Sequence, residues 1–407
     1  MIVERLSNGA NIVLRKRTDV SSVSVQFWLK TGALWENDNN RGVAHFLEHM
    51  VFNGTKEYLP GEIEKIVENL GGELNAATSY DYTFYYITLP AVHFQIAIKL
   101  LKELVFFPLL GSAMVEKEKP IVLEEIARAK NNPKTLLWRY FLQQLYKETN
   151  YRFPILGSKD TVSSFSSETV KNFHLSHYHS ENLSVAVSGN IDEKAFSIIE
   201  ETLSDIPFGK RNSNIKPDKT KVLEKEILIK HPAVANVHTV MGWRLPGLIE
   251  CSDSAVYAIL ESMFSYGRSS VFYQRIVEKG LAYGISAGVE QFLGGNTFYV
   301  YGITDEGKNG KFEEEVVSVL KMSVEKELFD FAKKKVLKAE TFKLEAIESE
   351  AEEIGFSLTV LDTIEHYLNF IEKVKKLSFE EFLEKIEFLH SESFKVKLLH
   401  GKSEVVL

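Results

Sequence analysis

The chain has 407 residues, too many for one ordinary core and enough for two domains of about 200 residues each. Apolar residues make up 44% and charged residues 26%, the balance of a globular protein that folds in water, and a net charge of -8 argues against a general nucleic-acid binder, which needs surplus Lys and Arg. The single cysteine, Cys251, excludes an internal disulfide and a cysteine-based zinc site, so any metal must be held by histidines and carboxylates.

In chain order, Val3 to Leu6 and Ala10 to Arg15 read as strands around the turn Ser7-Asn8-Gly9, and Ser22 to Lys30 as a third. Val43 to Phe52 has helical spacing, and Gly61 to Leu70 is a second helix ended by Gly71-Gly72. Asn75 to Leu89 is one strongly β-prone run, and Val92 to Val105 and Met114 to Ala129 read as helices with Pro108 between them. The polar, turn-rich stretch from Asp205 to Lys225 predicts a linker and a division into domains 1–207 and 223–407. The N-terminus has no basic region followed by an apolar run, and no stretch of 18 apolar residues occurs, so a cytoplasmic protein without membrane association is expected.

The second half repeats the first. Val23 to Gly32 (VSVQFWLKTG) resembles His238 to Gly247 (HTVMGWRLPG) at an offset of 215, placing Trp28 on Trp243. His45 to Gly54 (HFLEHMVFNG) resembles Ala258 to Gly267 (AILESMFSYG) at an offset of 213, so that His45 and His49 fall on Ala258 and Ser262. Two related domains are expected, with metal chemistry in the first alone.

The segment His45-Phe46-Leu47-Glu48-His49 carries that chemistry. Histidines four apart lie on one helix face, where both imidazoles can reach one ion, and Glu48 between them is placed to act as a general base on a water. Zinc suits imidazole and carboxylate donors and activates water near neutral pH. The alternative is an ordinary amphipathic helix with two exposed histidines. His174, His177 and His179 look like a second cluster but read as a partly exposed helix end. Lys333 to Lys335 and the acidic stretch Glu348 to Glu353 read as solvated helix faces. Cys251 has no neighbour in sequence to activate it as a nucleophile.

His45 to Thr55 (HFLEHMVFNGT) closely resembles the active-site helix of the pitrilysin, insulin-degrading enzyme and mitochondrial processing peptidase family, the inverzincins. Asn75-Ala76, Thr78 and the aromatic run through Tyr86 resemble that family's edge strand, Glu118 to Ile126 its carboxylate-bearing helix, and Asn182-Leu183 through Asp192 the closing strand of its first domain. The resemblance implies the short, two-domain bacterial type: an α+β fold of two homologous domains, each a mainly antiparallel sheet with helices packed on one face. It implies Glu125 as third zinc ligand beside His45 and His49, with one zinc per chain. Glu118, two helical turns earlier, supports the site, while Glu124 projects about 100° away from Glu125.

It further implies that Asn75 and Ala76 bind the backbone of a peptide or unfolded polypeptide by strand addition. The chain would form a homodimer in which Tyr283, in Gly280-Leu281-Ala282-Tyr283, acts across the interface. The family's oxyanion-binding arginine usually stands seven residues before that Tyr; position 276 is Ile, and Arg275 stands eight before. The function expected is a zinc-dependent endopeptidase. The rivals are a non-catalytic assembly subunit of the same fold and a processing peptidase for one defined protein.

Overall fold

The computed structural model describes residues 1–213, 215–219, 225–250, 253–402 and 404–406, without the side chains of 405 and 406. Cys251 lies outside the described residues, as do 214 and 220–224 of the expected linker; residues 207–213 and 215–219 carry neither helix nor strand. Five helices bear on the candidate site and the sheets behind it: α1 (Val43–Val51), α2 (Ser112–Asn131), α3 (Pro133–Leu145), α4 (Ser254–Phe264) and α5 (Ile347–Val360).

The chain forms two compact units, each built from three segments. The first takes residues 1–127, 153–214 and 343–367, and the second takes 128–152, 215–342 and 368–407. A single cut between 207 and 223 allots neither exchanged segment, because nothing local in 128–152 or 343–367 says which core its apolar face will join.

The first unit holds β1 (Ile2–Arg5), β2 (Asn11–Lys16), β3 (Ser22–Leu29), β4 (Glu73–Thr78), β5 (Thr83–Pro90) and β6 (Leu183–Gly189), in the order β1-β2-β6-β3-β5-β4. All pairs are antiparallel except β2 with β6. The single run expected from Asn75 to Leu89 is a hairpin. Its turn, closed by Ser79 N–H to Tyr82 O at 2.8 Å, is held from outside: Ser79 O and Tyr80 O accept Ala33 N–H and Leu34 N–H at 3.1 and 2.9 Å. Gly32 permits that approach, since a Cβ there would lie 2.3 Å from Ser79 O. An aromatic, β-prone turn whose donors come from residues about 45 positions earlier has no local signature.

One face of this sheet buries Val23, Val25 and Phe27 with Phe46, Leu47 and Met50 of α1 and the apolar side of the helix Phe94–Phe106. The other face presents Val13, Trp28 and Ala186 to Ile354 and Leu358 of α5. Gly355 of α5 lies against the Trp28 indole so closely that a Cβ would stand 2.2 Å from Nε1. The acidic stretch at 348–353 is therefore not a solvated face throughout. Glu350 is buried and accepts hydrogen bonds from Ser188 Oγ (2.6 Å), Tyr367 Oη (2.9 Å), Arg17 Nη1 (3.1 Å) and Arg15 Nε (3.2 Å).

Burial pushes the Glu350 pKa up, but Ser188, Tyr367 and Arg17 outweigh it and hold the pKa below the ordinary 4.5. A depressed carboxyl adds stability above its unfolded pKa and loses it as pH falls through the lower folded value. Glu350→Ala, which removes the shared acceptor of Ser188, Tyr367, Arg15 and Arg17 while Arg17 keeps its pair with Asp19, is expected to cost about 1–3 kcal/mol in urea unfolding at pH 7. The deficit of Glu350→Gln relative to wild type should shrink below pH 4.5; a deficit that stays constant to about pH 3 contradicts the charge-based account.

The second unit repeats the topology with β7 (Glu226–His231), β8 (Val237–Leu245), β9 (Gly284–Glu290), β10 (Asn296–Thr304), β11 (Phe394–His400) and β12 (Glu404–Val406), in the order β12-β7-β11-β8-β10-β9. The parallel pair is again the second with the third, β7 with β11. β3 corresponds to β8 and α1 to α4, as the sequence repeat anticipates. The outermost strand differs in origin: β1 precedes its partner, whereas β12 comes from the end of the chain. Here α3 takes the position that α5 holds on the first sheet. It is capped by Asn132 with Pro133 at its first turn, and its Phe141 ring covers Gly242, where a Cβ would meet Cζ at 2.4 Å.

Candidate metal centre

Helix α1 begins at Gly42, whose φ of 91° suits glycine and offers no side-chain cap. The cap comes from Glu36, a residue that nothing in its sequence neighbourhood singles out. Its two carboxyl oxygens accept Gly42 N–H and Ala44 N–H, each at 2.9 Å, satisfying donors that the first turn leaves open. Burial pushes the Glu36 pKa up to about 8, while the two backbone donors and Arg41 pull it down. Phe46, Leu47 and Met50 anchor α1 in the core, which turns His45, Glu48 and His49 toward α2 and the end of β4.

Among the described residues, the group of His, Cys, Asp and Glu whose ligand atoms lie within 4.8 Å of one another is His45, His49 and Glu125. His45 Nε2 stands 3.6 Å and His49 Nε2 3.7 Å from the same oxygen, Glu125 Oε2. Donors about 2.0–2.1 Å from a tetrahedral zinc stand about 3.3 Å apart, so these three atoms are spaced to share one ion, and two imidazoles with a carboxylate are a zinc donor set. Burial, then the neighbouring His49, lowers the His45 pKa to about 4, which keeps this imidazole neutral and able to bind metal.

Glu118 lies seven residues before Glu125 on α2 and accepts from His49 Nδ1 at 3.0 Å and Asn53 Nδ2 at 2.9 Å. The bond to Glu118 is the main cause of a raised His49 pKa. A carboxylate at that position favours the neutral tautomer with the proton on Nδ1, in which Nε2 offers its lone pair on the Glu125 side. Burial opposes ionisation of Glu118, but the His49 and Asn53 hydrogen bonds prevail and its pKa is lowered. Asn53, four residues after His49, also donates to His49 O at 3.3 Å.

Glu48 is half-buried, and burial raises its pKa against the hydrogen bond from Thr78 Oγ1 to its Oε2. Asn75 and Ala76 lie on β4, where Asn75 Oδ1 accepts Ala76 N–H at 2.9 Å. Arg275 and Tyr283 belong to the second unit. Arg275, in the π-helical segment Tyr273–Val277, is engaged by Glu315 at 2.8 Å. Tyr283 is exposed and donates to Asp305 Oδ1 at 2.6 Å.

Among the described residues, His174, His177 and His179 do not form a group of converging ligand atoms. His174 and His179 are buried rather than at an exposed helix end. His174 Nε2 meets Val105 O at 2.9 Å, and His177 Nδ1 meets Asn212 at 3.2 Å. These imidazoles fasten a helix to its neighbours, and burial lowers all three pKa values.

Two family models match the chain in succession. Residues 11–159 match the model of insulinase, peptidase family M16, and residues 164–336 match that of the peptidase M16 inactive domain. The second match contains Ala258 and Ser262 where the first has His45 and His49. An uncharacterized zinc protease of Rickettsia felis is 30% identical over 75% of this chain and 74% of its own. One of Rickettsia bellii is 28% identical over 88% and 87%.

In fold, the chain resembles a protease from Helicobacter pylori (TM-score 0.87, 22% identity, 98% of both chains). It also resembles a Pseudomonas fluorescens peptidase M16 inactive domain (TM-score 0.88, 17% identity, 99% of this chain and 98% of that one). The periplasmic protease PqqL from Escherichia coli matches 98% of this chain with 48% of its own, at a TM-score of 0.80 and 21% identity. No helix among the described residues is long and apolar enough to cross a membrane. With both halves matched and the relatives covered over most of their length, the chain belongs to peptidase family M16, the pitrilysin and insulinase family, in its short bacterial form.

Proposed function

We propose that this chain is a zinc-dependent endopeptidase that hydrolyses peptide bonds in short or unfolded polypeptides. The observation that carries the reading is the convergence of His45 Nε2, His49 Nε2 and Glu125 Oε2, with the Glu48 carboxyl on the same helix. His45, His49 and Glu125 would hold one zinc per chain. Zinc, when bound, acts as a Lewis acid that lowers the pKa of a water and polarises a carbonyl.

The remaining work falls to side chains. Glu48, raised in pKa by its enclosure, would accept a proton from the water and return it to the leaving amine. Glu118 would keep His49 in the tautomer that binds metal. The open edge of β4 at Asn75 and Ala76 would align the peptide backbone by strand addition, a mode that selects extended chains over folded ones. Tyr283 would contact substrate across a homodimer interface, with Arg275 as its companion once freed from Glu315. The lone cysteine favours a cytoplasmic setting.

Metal analysis of the purified chain, beside hydrolysis of a panel of unstructured peptides, tests the proposal. One zinc per chain with cleavage inside the peptides supports it. A chain that takes up no added zinc and cuts nothing is the non-catalytic assembly subunit instead. Cleavage confined to one protein segment is the processing role.

A further inference from the structure

β4 is the last strand of its sheet and, among the described residues, is paired through β5 alone. Because Ser79 N–H bonds Tyr82 O across the hairpin, the next pair inward, Thr78 with Thr83, is a non-hydrogen-bonded pair. The main-chain N–H and C=O of Thr78 therefore point away from the sheet, as do those of Ala76 and Leu74. The side chain of the same residue faces α1, where its hydroxyl donates to Glu48 Oε2. Thr78 thus has its main chain on the edge strand, with its N–H also directed toward the Glu48 carboxyl, and its hydroxyl on that same group, the one proposed as base. A carboxylate that rotates freely about its last bond loses alignment, and a donor fixed on one oxygen leaves the other to face the reacting water.

We propose that Thr78 is the positioning residue for Glu48, and that pairing of a peptide strand along β4 sets the base in line through it. This rests on the endopeptidase reading. Substrates too short to pair along the edge would reach the metal centre with the base poorly aligned, so remote binding appears in kcat rather than in KM.

Two variants separate positioning from packing. Thr78→Val keeps the β-branched shape and removes the hydroxyl; Thr78→Ser keeps the hydroxyl. For Thr78→Val, kcat on a ten-residue peptide should fall about 10–100-fold with KM nearly unchanged, and Thr78→Ser should restore most of it. Zinc affinity, read by chelator competition, should be the same in all three proteins. The ratio of kcat for the ten-residue peptide to that for a four-residue one, about tenfold or more in wild type, should collapse toward one in Thr78→Val. The inference is overturned if Thr78→Val keeps wild-type kcat, loses zinc, or keeps the length ratio, or if Thr78→Ser fails as badly as Thr78→Val. A wild type that binds zinc and cuts peptides in the same assay leaves the endopeptidase reading standing in each of those cases.

Discussion

Glu48→Gln is expected to lower kcat on unstructured peptides by about 10²–10⁴-fold while zinc remains at one per chain. The substitution is nearly isosteric, and a Gln carbonyl oxygen can still accept the Thr78 hydroxyl, so the helix and the three donor atoms beside it are left in place. What is lost is the capacity to take up a proton. Glu48 is suited to that step because burial raises its pKa toward the working range, whereas an exposed carboxylate would be too weak a base. The decisive readout is the pairing of the two measurements. Loss of hydrolysis with zinc retained assigns the base; loss of both makes Glu48 a determinant of metal binding; retention of both removes it from the mechanism.

How far the sequence foretold this site depends on how local each contact is. His45, Glu48 and His49 share one turn and a half of helix, so spacing alone put them on a common face. The choice of Glu125 and Glu118 came from resemblance, and the seven-residue interval on α2 added only that the two share a face. That α2 meets α1 came from resemblance, since no pattern within either helix states it. The bond from Thr78 to Glu48 and the cap from Glu36 escaped notice because each is a tertiary contact made from an ordinary sequence neighbourhood. The hairpin at Ser79 to Tyr82 and the burial of Glu350 were missed for the same reason: both are decided by groups from distant segments. The topology was legible further than these details, because the match of Trp28 to Trp243 and of α1 to α4 reflects two sheets with one strand order.

Glu125→Gln is expected to weaken zinc binding more than about a hundred-fold, beyond the 10–100-fold typical of a residue that only supports a ligand. An amide oxygen is a poor zinc donor beside a carboxylate, and Glu125 Oε2 is the atom that both His45 Nε2 and His49 Nε2 approach. Glu118→Gln, which leaves the three donors and disturbs only the His49 orientation, should fall within the smaller range. Glu124→Gln should bind zinc as wild type does, because Glu124 lies outside the three-residue group. Thermal unfolding gives a readout independent of activity. A ligand at a thousand times its Kd stabilises by about 4 kcal/mol and one at ten times by about 1.4 kcal/mol, so chelation should lower the wild-type Tm by several degrees and that of Glu125→Gln by about a third of that or less. If Glu124→Gln abolishes the chelator effect while Glu125→Gln keeps it, the third ligand is the neighbouring carboxylate, and the register of α2 against α1 must be redrawn.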